Sequence, residues 1–176
     1  MKKTIFIGFL VAFVVLGQNS FGQCNVDQDV NDNGNKYYYH AREKIYENKD
    51  LQYGLLVAYA QLMIIQRTDN LLQCAMFIIV GKKDKQMVVP RQIEIYFTDG
   101  TSTEFMADKL ENLPIVSQTT SQQSTFMLTE DNYVTLQKKS VSKIVIKDNR
   151  EGNELICTPY KDLLKEQANC IGLMLN

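Results

Sequence analysis

His40 is the side chain of this sequence best suited to act as a general base near neutral pH, and it is the only histidine. A catalytic imidazole needs an orienting partner and a nucleophile beside it. The chain contains no G-x-S-x-G, H-E-x-x-H, P-loop or G-x-G-x-x-G motif. We therefore predict no catalytic residue, and an envelope hydrolase that uses His40 with a free thiol or a nearby carboxylate is the weakest alternative.

Four cysteines are the remaining nucleophile candidates: Cys24, Cys74, Cys157 and Cys170. An even number in an exported chain predicts two disulfides, with all four residues as candidates. A helix over 160–171 would advance about 16 Å and carry Cys170 away from Cys157, which favours pairings between the N-terminal and C-terminal parts. The alternative is a buried free thiol at Cys74, which lies in the apolar stretch 71–80.

The segment before residue 36 resembles the first half of a calcium loop. Its residues Asp29, Asn31, Asn33 and Gly34 stand at the ligand and turn positions of such a loop. The twelfth position holds His40 instead of a bidentate glutamate, and no C-x-x-C pair suggests zinc. We predict no metal and no other cofactor, and we interpret 23–35 as an irregular arm rich in Asn and Asp.

Tyrosines concentrate in one third of the chain. The cluster comprises Tyr37, Tyr38, Tyr39, Tyr46, Tyr53 and Tyr59. Exposed tyrosines are common contact residues for sugars and protein partners, and the alternative is that they alternate between core and solvent on strands. Because the chain contains no Trp, a protein-facing or structural role is favoured over a carbohydrate-stacking one. The partner is expected to be an unknown envelope protein or glycan.

The N-terminus has the layout of a secretory signal: Lys2 and Lys3, an apolar run over 5–16, then polar residues. The run is shorter than the roughly 20 residues that span a membrane, so no transmembrane segment is expected after signal removal. Small side chains at Ser20 and Gly22 favour cleavage before Gln23 and define 1–22 as the signal peptide.

Export to the periplasm or the extracellular space follows from this layout. A lipid anchor at Cys24 is the disfavoured alternative, because Phe21, Gly22 and Gln23 do not match the residues that precede a lipoprotein cysteine.

Composition limits the other classes of function. The chain has 176 residues, of which 45% are hydrophobic, so residues 36–176 are predicted to form one globular domain. Removing Lys2 and Lys3 from the 19 basic residues leaves 17 against 20 acidic ones. A net charge of −3 (17 − 20) provides no electrostatic basis for binding nucleic acid.

Hairpins dominate the local patterns. Two apolar runs, 62–66 and 71–80, flank a polar turn, and a second hairpin over 92–106 turns at Asp99 and Gly100. The stretch 37–65 fits neither helix nor strand periodicity cleanly, and the polar stretch 108–123 is interpreted as a loop.

Two helices are expected in the C-terminal half. Thr129 is the N-cap of a helix that ends near Lys139, and Pro159 opens a final helix. Strands over 143–147 and 154–157 lie between them. The fold predicted is α+β: a mainly antiparallel sheet of hairpins with two helices from the C-terminal half packed on it.

The run over about 91–171 includes the Thr-Asp-Gly turn, the capped LTEDNY helix and the KIVIKDN strand. In this layout it resembles small uncharacterised secreted proteins of Bacteroidetes-type bacteria. The resemblance implies an envelope-associated α+β domain and carries no activity or catalytic residues. We expect an exported non-enzymatic binding or structural domain of the bacterial envelope, with a small inhibitor or ligand carrier as the alternative.

Overall fold

The structure is a computed structural model that describes residues 24–50, 54–82, 88–116, 119–148 and 152–175. The predicted signal peptide, 1–22, lies outside these residues. The strands within them are β1 (Val26–Val30), β2 (Lys36–His40), β3 (Glu43–Asp50), β4 (Gly54–Gln66), β5 (Leu72–Lys82), β6 (Gln92–Phe97), β7 (Ser102–Met106), β8 (Lys109–Val116), β9 (Thr119–Leu128), β10 (Val141–Asp148) and β11 (Asn153–Cys157), and the helices are α1 (Glu130–Lys138) and α2 (Leu163–Leu173).

Seven strands form a large antiparallel sheet in the order β1-β2-β4-β5-β9-β8. The seventh strand, β3, pairs with the first half of β4, while β2 pairs with the second half. Strands β2 and β3 therefore share one side of β4 and are interrupted at Ala41 and Arg42. Four further strands form a small antiparallel sheet in the order β11-β10-β6-β7.

Alternation of apolar residues determines which face of each sheet is buried. In the large sheet, Leu62, Ile64, Met76 and Ile78 are almost completely buried on the inner face. In the small sheet, the inward residues include Ile95. Burial of an aliphatic side chain contributes about 1.5–3 kcal/mol, so these rows are a main source of stability.

Both helices close the core. The side-chain oxygen of Thr129 accepts a hydrogen bond from the Asn132 amide at 3.2 Å and caps α1. Helix α2 buries Leu164, Ala168 and Ile171 and packs against α1, β2 and β4. One hydrophobic cluster spans both sheets and both helices. The predicted α+β class, with hairpins and C-terminal-half helices, is confirmed; the hairpins form two sheets instead of one.

The predicted irregular arm is wrong for residues 26–30, which form β1 and pair with β2. The Asn-rich segment is the hairpin turn between them. The side-chain oxygen of Asn31 accepts hydrogen bonds from the amides of Asn33 and Asn35, both at 3.0 Å. Gly34 has a φ of 77°, a left-handed conformation that favours glycine.

The predicted loop over 108–123 is also wrong, because most of it belongs to the hairpin β8–β9. Strand β9 lies between β5 and β8, so both of its edges are paired although its side chains are mainly Ser, Thr and Gln. The ambiguous stretch 37–65 contains β3 and all but one residue each of β2 and β4. Pairing with strands that are distant in the sequence determines that these segments are strands, whereas the periodicity of their own side chains does not.

The final helix begins later than predicted. Asp162 is the N-cap of α2, and Pro159 is buried in the preceding loop. The carbonyl of Lys161 accepts a hydrogen bond from the Val141 amide at 2.7 Å, and Ser140 donates to the Asp162 carboxylate. These contacts hold 158–162 against the start of β10 and delay the helix. Neither α1 nor α2, the helices of the described chain, is long and apolar enough to cross a membrane.

Candidate functional site

One disulfide joins the two ends of the described chain. Cys24 and Cys170 are bonded, with their Cα atoms 5.3 Å apart, as expected for a pairing of N-terminal with C-terminal parts. The second disulfide is not formed, because Cys74 on β5 and Cys157 on β11 lie in different sheets and are free. The alternative of a free thiol at Cys74 is confirmed, although its side chain is only partly buried.

Both free thiols are poor nucleophiles. Burial raises the pKa of Cys74 to about 11, with the Glu130 carboxylate as a second cause. Burial also raises the pKa of Cys157 to about 12. At neutral pH both therefore remain protonated, whereas the reactive form of cysteine is the thiolate.

His40 has no free thiol beside it among the described residues. Cys74 pairs with Ile64, which pairs with Tyr38. Cys74 is thus two strand spacings, about 10 Å, from β2, and His40 lies two residues beyond Tyr38. The Nδ1 atom of His40 also has no hydrogen-bond partner within the described chain. The geometry required for a cysteine hydrolase is therefore not present there.

Of the residues that resemble a calcium loop, Asn31 and Gly34 build the β1–β2 turn, in which the side-chain oxygen of Asn31 accepts two backbone hydrogen bonds. Asp29 lies on β1. In the described part of the chain, no group of three or more His, Cys, Asp or Glu residues could hold a metal ion.

A concave surface lies on the outer face of the large sheet. This cleft has a volume of about 470 Å³, within the range of roughly 300–1,000 Å³ that is typical of small-molecule sites. It spans β1, β2, β4, β5 and β9, a width of about 19 Å at the usual strand spacing. The residues that line it are Asp29, Tyr37, Tyr39, Arg42, Gln61, Met63, Phe77 and Gln123.

Strand alternation places the aromatic and thioether groups in this cleft. Tyr38 is buried in the core, so its neighbours Tyr37 and Tyr39 face outward. Tyr39 is paired with Met63 on β4. Phe77 is paired with Gln61, also on β4. Cross-strand pairs of this kind stabilise a sheet face by about 0.2–1 kcal/mol each, so the lining is held in place by the sheet itself.

The interruption between β2 and β3 positions Arg42. At this point the amide of Leu62 donates a hydrogen bond to Oε1 of Gln167 at 3.1 Å, and Nε2 of Gln167 donates to the Ala41 carbonyl at 3.5 Å. Gln167 is buried and belongs to α2. Its amide therefore replaces the missing strand partner, which leaves Arg42 on the exposed connection at the end of the cleft.

Half of the six polar side chains in the cleft are paired within the protein: the Asp29 carboxylate accepts a hydrogen bond from the Val30 amide at 2.8 Å, and Nε2 of Gln61 donates one to the His40 carbonyl at 2.7 Å. The hydroxyl of Tyr37 accepts a hydrogen bond from Nδ2 of Asn31 at 2.7 Å. The side chains of Tyr39, Arg42 and Gln123 form no hydrogen bond or ion pair with another described residue. These groups are therefore available to a ligand.

The outer face of the small sheet differs. Lys147 and Glu94 form an ion pair at 2.9 Å, and this hydrogen bond is the largest cause of the lowered pKa of Glu94. Nζ of Lys143 lies 4.1 Å from the ring centroid of Tyr96, a cation–π contact. The charged groups on this face of the small sheet are therefore engaged in contacts within the protein.

Of the tyrosines that the sequence singled out, Tyr37 and Tyr39 line the cleft, Tyr38 lies in the core and Tyr53 lies outside the described residues. Sequence reasoning missed five members of the lining: Arg42, Gln61, Met63, Phe77 and Gln123. Alternation within β4 and β5 could have indicated which of their residues share an outer face. The pairing of β9 with β5, which brings in Gln123, has no local sequence signal. Comparison with protein-family models, curated proteins and solved structures finds no match to the chain.

Proposed function

We propose that this protein is an exported, non-enzymatic binding domain of the bacterial envelope whose ligand occupies the cleft on the large sheet. The observation that carries the proposal is the cleft itself. Aromatic side chains and unpaired polar groups converge there, which is the usual composition of a binding pocket. Tyrosine and arginine are also the residue types that dominate binding energy at interfaces.

Export is supported by the signal-like N-terminus and by the Cys24–Cys170 disulfide, since disulfides persist mainly in oxidising compartments. The same bond argues against a lipid anchor. Acylation of a lipoprotein requires the sulfur of its first cysteine, and here the sulfur of Cys24 is bonded to Cys170.

A small-ligand carrier is the second candidate, because an open cleft can also hold a ligand for release. Its distinguishing property would be a ligand that dissolves with the protein and is not fixed to the envelope. An inhibitor role has no specific support from the structure. A cysteine hydrolase that uses His40 is disfavoured by the protonated state and placement of the two free thiols.

The test uses the chain from Gln23 immobilised on a support and exposed to envelope extract and to a soluble-ligand fraction. Tyr39→Ala and Phe77→Ala remove aromatic surface from the cleft. Tyr96→Ala is the matched control, since Tyr96 is a half-buried aromatic on the outer face of the small sheet. We expect retention by the wild type and by Tyr96→Ala, and at least about tenfold less retention by the cleft variants.

Equal retention by the cleft variants and the wild type, with unchanged folding by circular dichroism, would contradict the proposal. If the protein turned over its ligand and His40→Gln abolished retention, the result would support the hydrolase alternative.

A further inference from the structure

We infer that the ligand of the cleft is a neutral oligosaccharide. This inference rests on the proposed binding function and specifies its ligand. It departs from the sequence-based expectation of a protein ligand, which was drawn mainly from the absence of Trp.

Hydrogen-bonding capacity is the first argument. Six of the eight lining residues carry polar side chains, and they include phenol, amide, carboxylate and guanidinium groups. Together they offer both donors and acceptors at several points. A polyhydroxylated ligand also combines donors and acceptors in each hydroxyl group, so it matches this mixed lining better than a purely apolar ligand does.

The aromatic surface is the second argument. Tyr37, Tyr39 and Phe77 present rings on the outer face, and each ring offers a flat apolar surface. The C–H faces of a pyranose ring pack against such surfaces, while its equatorial hydroxyls point sideways toward polar groups. Rings flanked by the Gln123 amide and by Oε1 of Gln61, whose Nε2 is bonded to the His40 carbonyl, provide this combination of contacts.

Charge balance is the third argument. Asp29 and Arg42 carry the two formal charges of the lining, and the charges cancel. Asp29 is paired with Tyr37 near one end of β2, and Arg42 follows the other end. The five residue steps from Tyr37 to Arg42 span about 17 Å of extended chain. A compact charged ligand could not use both groups at once, whereas an elongated neutral ligand can hydrogen-bond to each.

The position of the cleft disfavours an extended peptide. Peptides that bind sheets pair with backbone groups at a free edge. The cleft instead lies mainly on a face, where the backbones of β2, β4, β5 and β9 are already paired with one another, and Asp29 is its one lining residue on the edge strand β1. A peptide lying there would leave many of its own backbone groups without partners, at a cost for each buried group.

The experiment probes the chain from Gln23 with an array of immobilised neutral glycans, anionic glycans and unstructured peptides. The best neutral oligosaccharide is then titrated by calorimetry. We expect Tyr39→Ala to raise Kd about tenfold or more, because it removes a stacking surface. Tyr39→Phe keeps the ring and should change Kd far less, and Tyr96→Ala should leave it unchanged.

Binding to neutral glycans that depends on Tyr39 in this way supports the inference. Cleft-dependent binding to peptides, proteins or only anionic glycans would overturn the inference and leave the binding function standing. Glycan binding that is insensitive to Tyr39→Ala and Phe77→Ala would overturn the assignment to this cleft. Absence of any cleft-dependent ligand in the array and in the extract would overturn both proposals. Tyr39→Phe serves as the folding control, since it preserves most of the packed surface.

Discussion

The outer faces of the two sheets both expose polar and aromatic side chains, but they use them differently. On the small sheet, Lys147 neutralises Glu94 and Lys143 packs on Tyr96. On the large sheet, Tyr39 and Arg42 have no such contact within the described chain. The charged side chains on the small sheet are paired within the protein, whereas Tyr39 and Arg42 in the cleft of the large sheet are free to contact a ligand.

This difference locates the candidate site better than residue type does. Tyr39 and Tyr96 are both half-buried tyrosines on sheet strands. The sequence around them does not indicate which of the two belongs to a binding site. Only Tyr39 lies in a concave surface with unpaired polar neighbours. A free hydrogen-bonding group beside a ring can be satisfied by a ligand, whereas an ion pair must first be broken.

The largest effect that separates the two regions should come from the disulfide. The bond links the segment before β1 to α2, and its two cysteines are 146 residues apart in the sequence. Strand β1 is the edge strand that contributes Asp29 to the cleft. Replacing both cysteines, in the variant Cys24→Ser with Cys170→Ser, should lower the free energy of unfolding by about 2–5 kcal/mol. Hydrogen exchange should increase first in β1 and β2 and least in the small sheet.

Thermal unfolding with and without reductant measures this effect, and Cys74→Ala is the control with no disulfide to lose. The comparison would fail if reductant left the melting temperature unchanged. It would also fail if β6 and β10 lost protection before β1.

A smaller effect should come from the buried acid of the small sheet. Asp148 is 2% exposed, and its Oδ1 lies 3.3 Å from Nε of Arg91. The variant Asp148→Asn removes the negative charge beside Arg91. We expect it to lower the free energy of unfolding by about 3 kcal/mol. Asp29→Asn in the cleft should change stability by no more than about 0.5 kcal/mol, because Asp29 is exposed.

Urea unfolding of the two variants provides the direct comparison of Asp148 with Asp29. Similar losses for both would show that the cleft charges are as structural as those of the small sheet.

The smallest effect should be a loss of stability at acid pH that arises from two carboxylates of the small sheet. A hydrogen bond from Lys139, followed by those from Thr101, lowers the pKa of Asp99 below its usual 3.8. The hydrogen bond from Lys147 lowers the pKa of Glu94 below its usual 4.5. A lowered pKa in the folded state stabilises it at pH values above the unfolded pKa. That stabilisation disappears as the pH falls through the folded values.

We therefore expect the melting temperature to decline below about pH 4, and to decline less at high salt because both carboxylates are at the surface. The double variant Asp99→Asn with Glu94→Gln should flatten this decline. If the melting temperature of the double variant fell by the same amount, the acid sensitivity would come from other carboxylates.

Signals that act within a few residues could be read from the sequence. Asp99 and Gly100 turn the β6–β7 hairpin, and Gly100 adopts a φ of 88° as such a turn requires. Thr129 caps α1, and the runs on either side of 67–70 form β4 and β5. Each prediction was correct because the interaction that decides it is local.

The site was only partly predictable. The tyrosine cluster was identified, and alternation correctly separates Tyr38 from its two neighbours. The predicted arm failed at β1, because the same Asn and Asp residues that suggest disorder also build a tight turn when Asn31 binds the amides of Asn33 and Asn35. Composition does not distinguish these outcomes, since they differ only in whether a partner strand is present.

By itself, the sequence determined the α+β class, the central hairpins, the cap of α1 and the absence of recognised catalytic motifs. Tertiary structure alone decided that Cys24 bonds with Cys170 and leaves Cys74 and Cys157 free, and that Gln167 fills the break beside Arg42. It also decided that β9 pairs with β5 and brings Gln123 to the cleft. The physical reason is range: turns and caps depend on hydrogen bonds between near neighbours, whereas these features join residues that are far apart in the chain and meet only when the sheets and helices share one core.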